Sequence, residues 1–282
     1  VSDVVKMGMW DDTGSYRTAR NRILGTNDPQ FDVGDESNWQ FFWDYNIKIW
    51  FDTVPAHLWY RIHGKPVIAN WNLRNDEFMN QQGNAARLLD WLKMKFMARF
   101  SVEPLFIVED SWFRLDTTMT SAQAFGRHRW FNPAMNRMHT YTEYNGREWG
   151  IVVAGFRDPR TIPGCGASCR EVMREGGKVF TDGMDAGVDA DFILIEAMNN
   201  MVESGGYYRS EDWAYPTQYL NLMRRYTDPE PETLQFQAEG ADTFNKFNPM
   251  SMSGRYSDRG LDVAQLSDGT GWYVANTEAG EW

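Results

Sequence analysis

Residues 103–113 read EPLFIVEDSWF. Leu105 to Val108 form an unbroken apolar run, which stops abruptly at Glu109, Asp110 and an indole. A run this short and evenly apolar suits a strand covered on both faces, as in a parallel sheet. The acids mark the point where the chain returns to water. The same step occurs at five places: the spacing predicts strands at Val4–Trp10, Pro66–Trp71, Leu105–Glu109, Gly150–Ala154 and Phe192–Ile195. Between them, Ala85–Phe100 carries Leu88, Leu89, Leu92, Phe96 and Phe100 at helical spacing, an amphipathic helix. Arg170–Val179 and Pro216–Tyr226 read as helices too, the latter with Leu220 and Met223 facing inward. Asn46–Phe51 is apolar but of undecided type.

Alternating strands and helices imply an α/β fold with right-handed crossovers. The expected form is a (β/α) barrel with five visible units, lacking about three N-terminal units of the usual eight. An open doubly wound sheet is the alternative, although no GxGxxG or Walker motif follows a strand. After Tyr226 the composition changes. A Pro- and Glu-rich linker at 228–233 separates residues 1–227 from residues 234–282, whose Gly, Ser and Asp turns read as the opening strands of a β-sandwich.

Bulk composition narrows the partners. The formal net charge of −11 argues against nucleic acid or an anionic membrane, since phosphate binding needs clustered Lys and Arg. No apolar run approaches the ~20 residues that span a bilayer. Aromatics reach 15%, including 13 Trp, many beside polar residues as in Trp10-Asp11-Asp12, Asn70-Trp71-Asn72 and Asp110-Ser111-Trp112. A flat ring beside amides and acids suits a sugar, whose C–H face stacks while its hydroxyls take hydrogen bonds. Cys165 and Cys169 share one short loop, either as a disulfide of an exported protein or as two free thiols. The chain begins without an initiator Met, inside what reads as a strand, so an N-terminal portion is expected to be missing.

Every expected strand ends in polar residues: Asp11, Asp12, Thr13 and Ser15; then Asn70, Asn72 and Arg74; then Glu109, Asp110 and Arg114; then Arg157 and Asp158; then Glu196, Asn199, Asn200 and Glu203. One such cluster is ordinary, because helix N-caps favour Asp and Asn. Five in succession point to one shared site at the carboxyl edge of the sheet. Carboxylates without a nucleophilic cysteine, a GxSxG elbow or a metal motif point to acid/base cleavage of a glycosidic bond. The catalytic candidates are Glu203, Glu109, Asp12 and Glu196. Substrate contacts fall to Trp10, Asp11, Asn70, Trp71, Asp110, Trp112, Arg157, Asn199 and Asn200. The four histidines, His57, His63, His128 and His139, form no metal-ligand spacing. His128, within FGRHRWFNP, either lines a cleft or is a solvated loop residue, the plainer reading. No cofactor is expected; Asp-rich turns in Asp182–Asp191 would suit a structural calcium, without EF-hand spacing.

The segments GMWDDTGSY, GKPVIANWN, EPLFIVEDSWF, WGIVVAGFRDP and DFILIEAMNNMVESGG resemble, in order, the strand ends of barrel glycoside hydrolases of the endo-α-mannosidase-like group, in an uncharacterised secreted bacterial branch. That group carries Asn-Glu-Trp-x-Glu-Gly after its last strand. The resemblance places Glu203 on the second acid of that motif, and Asn200 where the first acid stands. It implies a secreted or surface glycosidase acting on an oligo- or polysaccharide, with Glu203 as general acid and Glu109, Asp12 or Glu196 as its partner. If the missing acid is not replaced from another strand, it implies a non-catalytic sugar-binding protein. The Gln-Ala-Glu and Gly-Glu-Trp segments of the C-terminal part resemble the start of a carbohydrate-binding module of the family-six or thirty-five type.

Overall fold

The computed structural model describes residues 6–74, 76–132, 135, 137–157, 171–172, 175–196, 207, 218–227, 262–265 and 272–275. The chain divides into two compact units, Val1–Tyr207 and Tyr208–Trp282. In the first, the strands are β1 (Met9–Asp11), β2 (Phe31–Asp32), β3 (Arg61–Ile62), β4 (Lys65–Asn70), β5 (Phe78–Met79), β6 (Leu105–Glu109), β7 (Gly126–His128), β8 (His139–Tyr144), β9 (Arg147–Val153), β10 (Phe156–Arg157), β11 (Glu171–Val172) and β12 (Phe192–Glu196). Its helices are α1 (Tyr16–Leu24), α2 (Glu36–Phe42), α3 (Lys48–Thr53), α4 (Asn84–Phe100), α5 (Asp110–Leu115) and α6 (Lys178–Ala186). The described residues of the second unit form α7 (Gln218–Thr227) and an antiparallel pair, β13 (Asp262–Gln265) and β14 (Trp272–Ala275).

The fold is mixed α/β around a parallel sheet. Strands β1, β4, β6 and β7 pair in that order, all parallel, with Met9 opposite Ile68, Ala69 opposite Ile107 and Ile107 opposite Gly126. Spatial order follows chain order, so this sheet winds in one direction, without the reversal that defines a doubly wound crevice. A second sheet has β9 between its parallel neighbour β12 and its antiparallel neighbour β8.

Because strand side chains alternate between faces, the sheet separates two cores. Met9, Ile68, Phe106 and Val108 meet the helices: Leu88, Leu89, Leu92 and Phe96 of α4, Trp39 and Phe42 of α2, and Phe51 of α3 belong to the same buried cluster. Phe96 and Phe51 lie edge to face at 4.7 Å, a geometry worth about 0.5–1.5 kcal/mol beyond area burial. On the other face, Val67, Ala69, Leu105 and Ile107 pack with Trp149 of β9 and Phe192 of β12. Trp149 stacks on Phe192 at 4.5 Å and rests on the backbone of Gly126. Gly126 is thus a close-approach glycine. A Cβ there would lie 2.5 Å from the indole.

Four expectations change. The first strand starts at Met9, not Val4; residues 1–5 lie outside the described residues, and Met7 makes a single bridge to Trp59 across the interruption at Gly8. The expected helix Arg170–Val179 divides instead into strand β11 and helix α6, because Gly176 and Gly177, at φ 64° and 103°, break the path. In α7 the buried residues are Gln218, Tyr219 and Leu222, the two apolar ones lying one position before the expected Leu220 and Met223. Asn46–Phe51 is helical, entering α3 through a π turn. Among the described residues no helix is long and apolar enough to cross a membrane. The proposed linker and most of the segment 234–282 lie outside the described residues.

Gly126→Ala should destabilise the first unit by about 1–3 kcal/mol through overpacking, since the stacked Trp149 cannot yield. Thermal unfolding should report this as a melting point lowered by at least about 2 °C; an unchanged melting point would show that the indole does not seat on this glycine.

Candidate active site at the carboxyl edge of the sheet

The chain that leaves β1 is tied at once to the chain that leaves β4. Trp71 N donates to Asp11 O at 3.0 Å, and Thr13 Oγ1 donates to Asn72 O at 2.7 Å. Gly14 lies so close to the Trp71 ring that a Cβ would meet it at 2.9 Å. The exit from β6 is joined to the same loop. Trp112 Nε1 donates to Trp71 O at 2.6 Å, Leu73 N donates to Ser111 Oγ at 2.8 Å, and Ser111 N donates to Glu109 Oε2 at 2.8 Å. Three strand ends therefore form one connected platform.

On the face away from the helices, this platform carries aromatic rings. Trp10 lies 5.6 Å from Trp130 and 5.7 Å from His128, and Trp71 lies 5.7 Å from Trp130. Trp10 is 41% exposed, so its ring is available to a ligand. Glu109 shares the face of Ile107 by strand alternation and stands opposite His128 in the β6–β7 register. It is buried. Ser111 N–H holds Oε2, while Oε1 takes no hydrogen bond from a described residue. Glu196 ends β12 on the face of Leu194, which packs against the buried cluster of Phe131, Met138, Ile151 and Val153. Asp12, two residues beyond Trp10, is exposed and accepts the Gly14 N–H; partial desolvation of its carboxyl raises its pKa above the usual carboxylate value.

Other expected contacts lie elsewhere. Asp11 and Asn70 do not face the indoles. Asp11 points toward the helices, where it is 3% exposed and accepts hydrogen bonds from Tyr16 Oη at 2.6 Å, Asn46 Nδ2 at 2.7 Å and Asn70 Nδ2 at 2.7 Å. Burial pushes its pKa to about 7, outweighing the hydrogen bonds from Tyr16 and Asn70 that favour the charged form. Asp110 is paired with Arg127, with Arg129 at 3.7 Å. Trp112 is fully buried in the helix-side core and offers no face to a sugar. Glu203, Asn199 and Asn200 lie outside the described residues, as do Asp158, Cys165 and Cys169; Arg157 is described only as a backbone position of β10.

Of the two further residues at this edge, Trp130 was not foreseen, and His128 departs from its plainer reading. His128 is a strand residue and is completely buried, not a solvated loop histidine. Its Nε2 lies 3.3 Å from Asn70 O, and burial lowers its pKa to about 4, keeping the ring neutral. Trp130 touches Trp10, Trp71 and His128. The available signal was Gly126, two residues before His128 and leaving room for Trp149 on the same face. Among the described residues no group of three or more His, Cys, Asp or Glu side chains is arranged to hold a metal.

A family model for a domain of unknown function, DUF5010, matches residues 1–243. The chain belongs to the DUF5010 family. No curated protein matches it. One similar solved structure is a GH99 endo-α-mannosidase from Bacteroides thetaiotaomicron in complex with BIS-TRIS-propane, at 20% identity and TM-score 0.43, covering 68% of this chain and 64% of that one. A second, of a GH99 endo-α-mannosidase from the same organism, has 17% identity and TM-score 0.45, covering 79% of the DUF5010 chain and 66% of its own. The DUF5010 chain thus spans just under two thirds of each. Both belong to the group that the strand-end segments resemble.

The buried acid makes a checkable statement about pH. The folded state raises the Asp11 pKa from 3.8 to about 7, so folding favours the protonated form. Stability is fully retained below the unfolded value and falls as pH rises through that window, by a few kcal/mol at most. In Asp11→Asn, which keeps the shape, Asn70 can turn its amide to present Oδ1, which is buried and has no partner in the native cluster. The variant should gain stability relative to the native chain between about pH 4 and 7, then hold that gain. Urea midpoints that stay parallel across this range would contradict the buried-acid assignment.

Proposed function

We propose that this DUF5010 chain is a glycoside hydrolase whose parallel sheet belongs to a (β/α) barrel and whose substrate lies along the carboxyl edge of β1, β4, β6 and β7. The observation that carries this reading is the meeting of Trp10, Trp71 and Trp130 on one face of that edge, with Glu109 of β6 opposite His128, which meets Trp10. Stacked indoles hold the apolar face of a sugar ring, and carboxylates then act on the bond between rings. Asp12 follows Trp10 by two residues at the exit of β1 and is a candidate partner of the general acid; partial desolvation raises its proton affinity. Glu109 is oriented by the Ser111 N–H and suits a nucleophile or a base that activates water. Glu203 is the general acid that the strand-end resemblance assigns, with Glu196 as the further candidate partner. The substrate would be an oligo- or polysaccharide, with α-mannosides first in line through the resemblance. The same resemblance supports export, and the separate resemblance of the C-terminal segments supports a partial carbohydrate-binding module over residues 234–282.

A second reading has one specific observation in its favour. Asn200 occupies the position of an acid in the resembled motif, so the same edge would bind sugar without cleaving it.

Reducing-end release and binding, measured in parallel on a polysaccharide panel that includes an α-mannan, separate the two. Glu203→Gln and Glu109→Gln should each lower turnover by at least about a hundredfold, the scale of a lost general acid or base, with binding retained. Binding with no release by the native chain would establish the second reading, and fully active variants would remove both glutamates from the mechanism.

A further inference from the structure

Several buried polar atoms near the indole cluster have no partner among the described residues: His128 Nδ1, Trp71 Nε1 and Asn72 Oδ1. An orphaned buried group costs about 1–3 kcal/mol, and native chains keep few of them. Two of these atoms belong to rings that surround Trp130, the same residue that joins Trp71 to Trp10.

The hydrogen bond on the far side of the imidazole decides what His128 can do. Its Nε2 lies 3.3 Å from Asn70 O, and a carbonyl oxygen only accepts. The hydrogen of the neutral ring therefore resides on Nε2, and Nδ1 carries a lone pair. Charged groups around it do not change this. Asp110 favours the imidazolium, but it is engaged by Arg127 and lies near Arg129, and burial dominates. Glu109 stands opposite in register, supplying a further acid and no donor of charge +1. The imidazole is fully buried, and of the two indoles against it Trp10, with centroids 5.7 Å apart, has 41% of its surface in water.

We propose that His128 Nδ1 is the hydroxyl-accepting atom of the cleft, reached when Trp10 swings outward, and that it makes the site select uncharged sugars over uronic acids. The inference rests on the carbohydrate reading above and narrows it to a substrate class. A sugar hydroxyl donates to Nδ1 and can also accept, as the unpaired Trp71 Nε1–H requires. A carboxylate only accepts. At Nδ1 it meets a lone pair, in a region that already holds Glu109 and Asp110.

The test uses the full chain with soluble glycans of both kinds: an α-mannan, a dextran and a β-glucan against polygalacturonate and alginate. Binding is followed by affinity electrophoresis and by tryptophan fluorescence, which Trp10 displacement should change. The native chain should bind at least one neutral glycan and neither polyuronate. His128→Phe keeps a flat ring but removes the acceptor, and should weaken that binding about five- to tenfold, the scale of one neutral hydrogen bond. His128→Gln, with an amide oxygen, should recover part of it, while melting curves confirm that both variants fold. Native binding should also weaken as pH falls through about 4, where Nδ1 gains a proton; the Phe variant should lack that component. Equal binding of polyuronates, or unchanged affinity in His128→Phe, overturns the selectivity proposal while leaving sugar binding intact. Failure of every glycan to bind removes the carbohydrate reading, and this inference with it.

Discussion

The indole N–H of Trp112 donates to the backbone carbonyl of Trp71 at 2.6 Å, and much of the edge depends on that bond. Trp112 is part of the helix-side core, so its position is set by packing with the larger apolar cluster. The carbonyl it grips belongs to the loop that carries a cleft indole. Core packing on one side of the sheet is thereby converted into placement of a ring on the other. The Thr13 and Ser111 hydrogen bonds extend the same fixation to the exits of β1 and β6. An edge built this way is held in place by the fold itself, so the proposed sugar would meet it at a limited ordering cost.

Burial acts on the two ionisable groups of this region in opposite chemical directions with one result. It raises the affinity of Asp11 for a proton and lowers that of His128, so both tend toward neutrality. For a chain of net charge −11, holding two buried groups toward neutrality avoids part of the large desolvation penalty of ionised groups inside.

How much could be read from residues alone differed by element. Strand β6 was legible to its ends because both faces are buried, so the whole run is apolar. Helix α4 was legible because its core residues follow helical spacing over four turns. Strand β8, HTYTEY, was not: only Thr140 is buried, and the run pairs in an antiparallel hairpin whose polar side reads as loop. Neighbouring acids suggested that Trp10, Trp71 and Trp112 were equivalent. In space they divide, since α5 turns Trp112 inward whereas Trp10 alternates outward from a strand. Chain-local context cannot separate these cases, because the decision is made by which layer lies across from each ring. His128 was hidden for a related reason: a three-residue strand flanked by arginines looks solvated until Trp149 is placed over Gly126.

Asn70 joins the two sides of the sheet. Its amide reaches down to the protonatable carboxyl of Asp11, and its backbone carbonyl reaches up to the imidazole of His128, whose tautomer it fixes. A proton arriving at Asp11 invites the amide to turn over, since a carboxylic acid needs an acceptor where the carboxylate used a donor. One asparagine thus holds a buried acid on the helix side and a buried imidazole on the other, so a substitution at this position would disturb both layers at once.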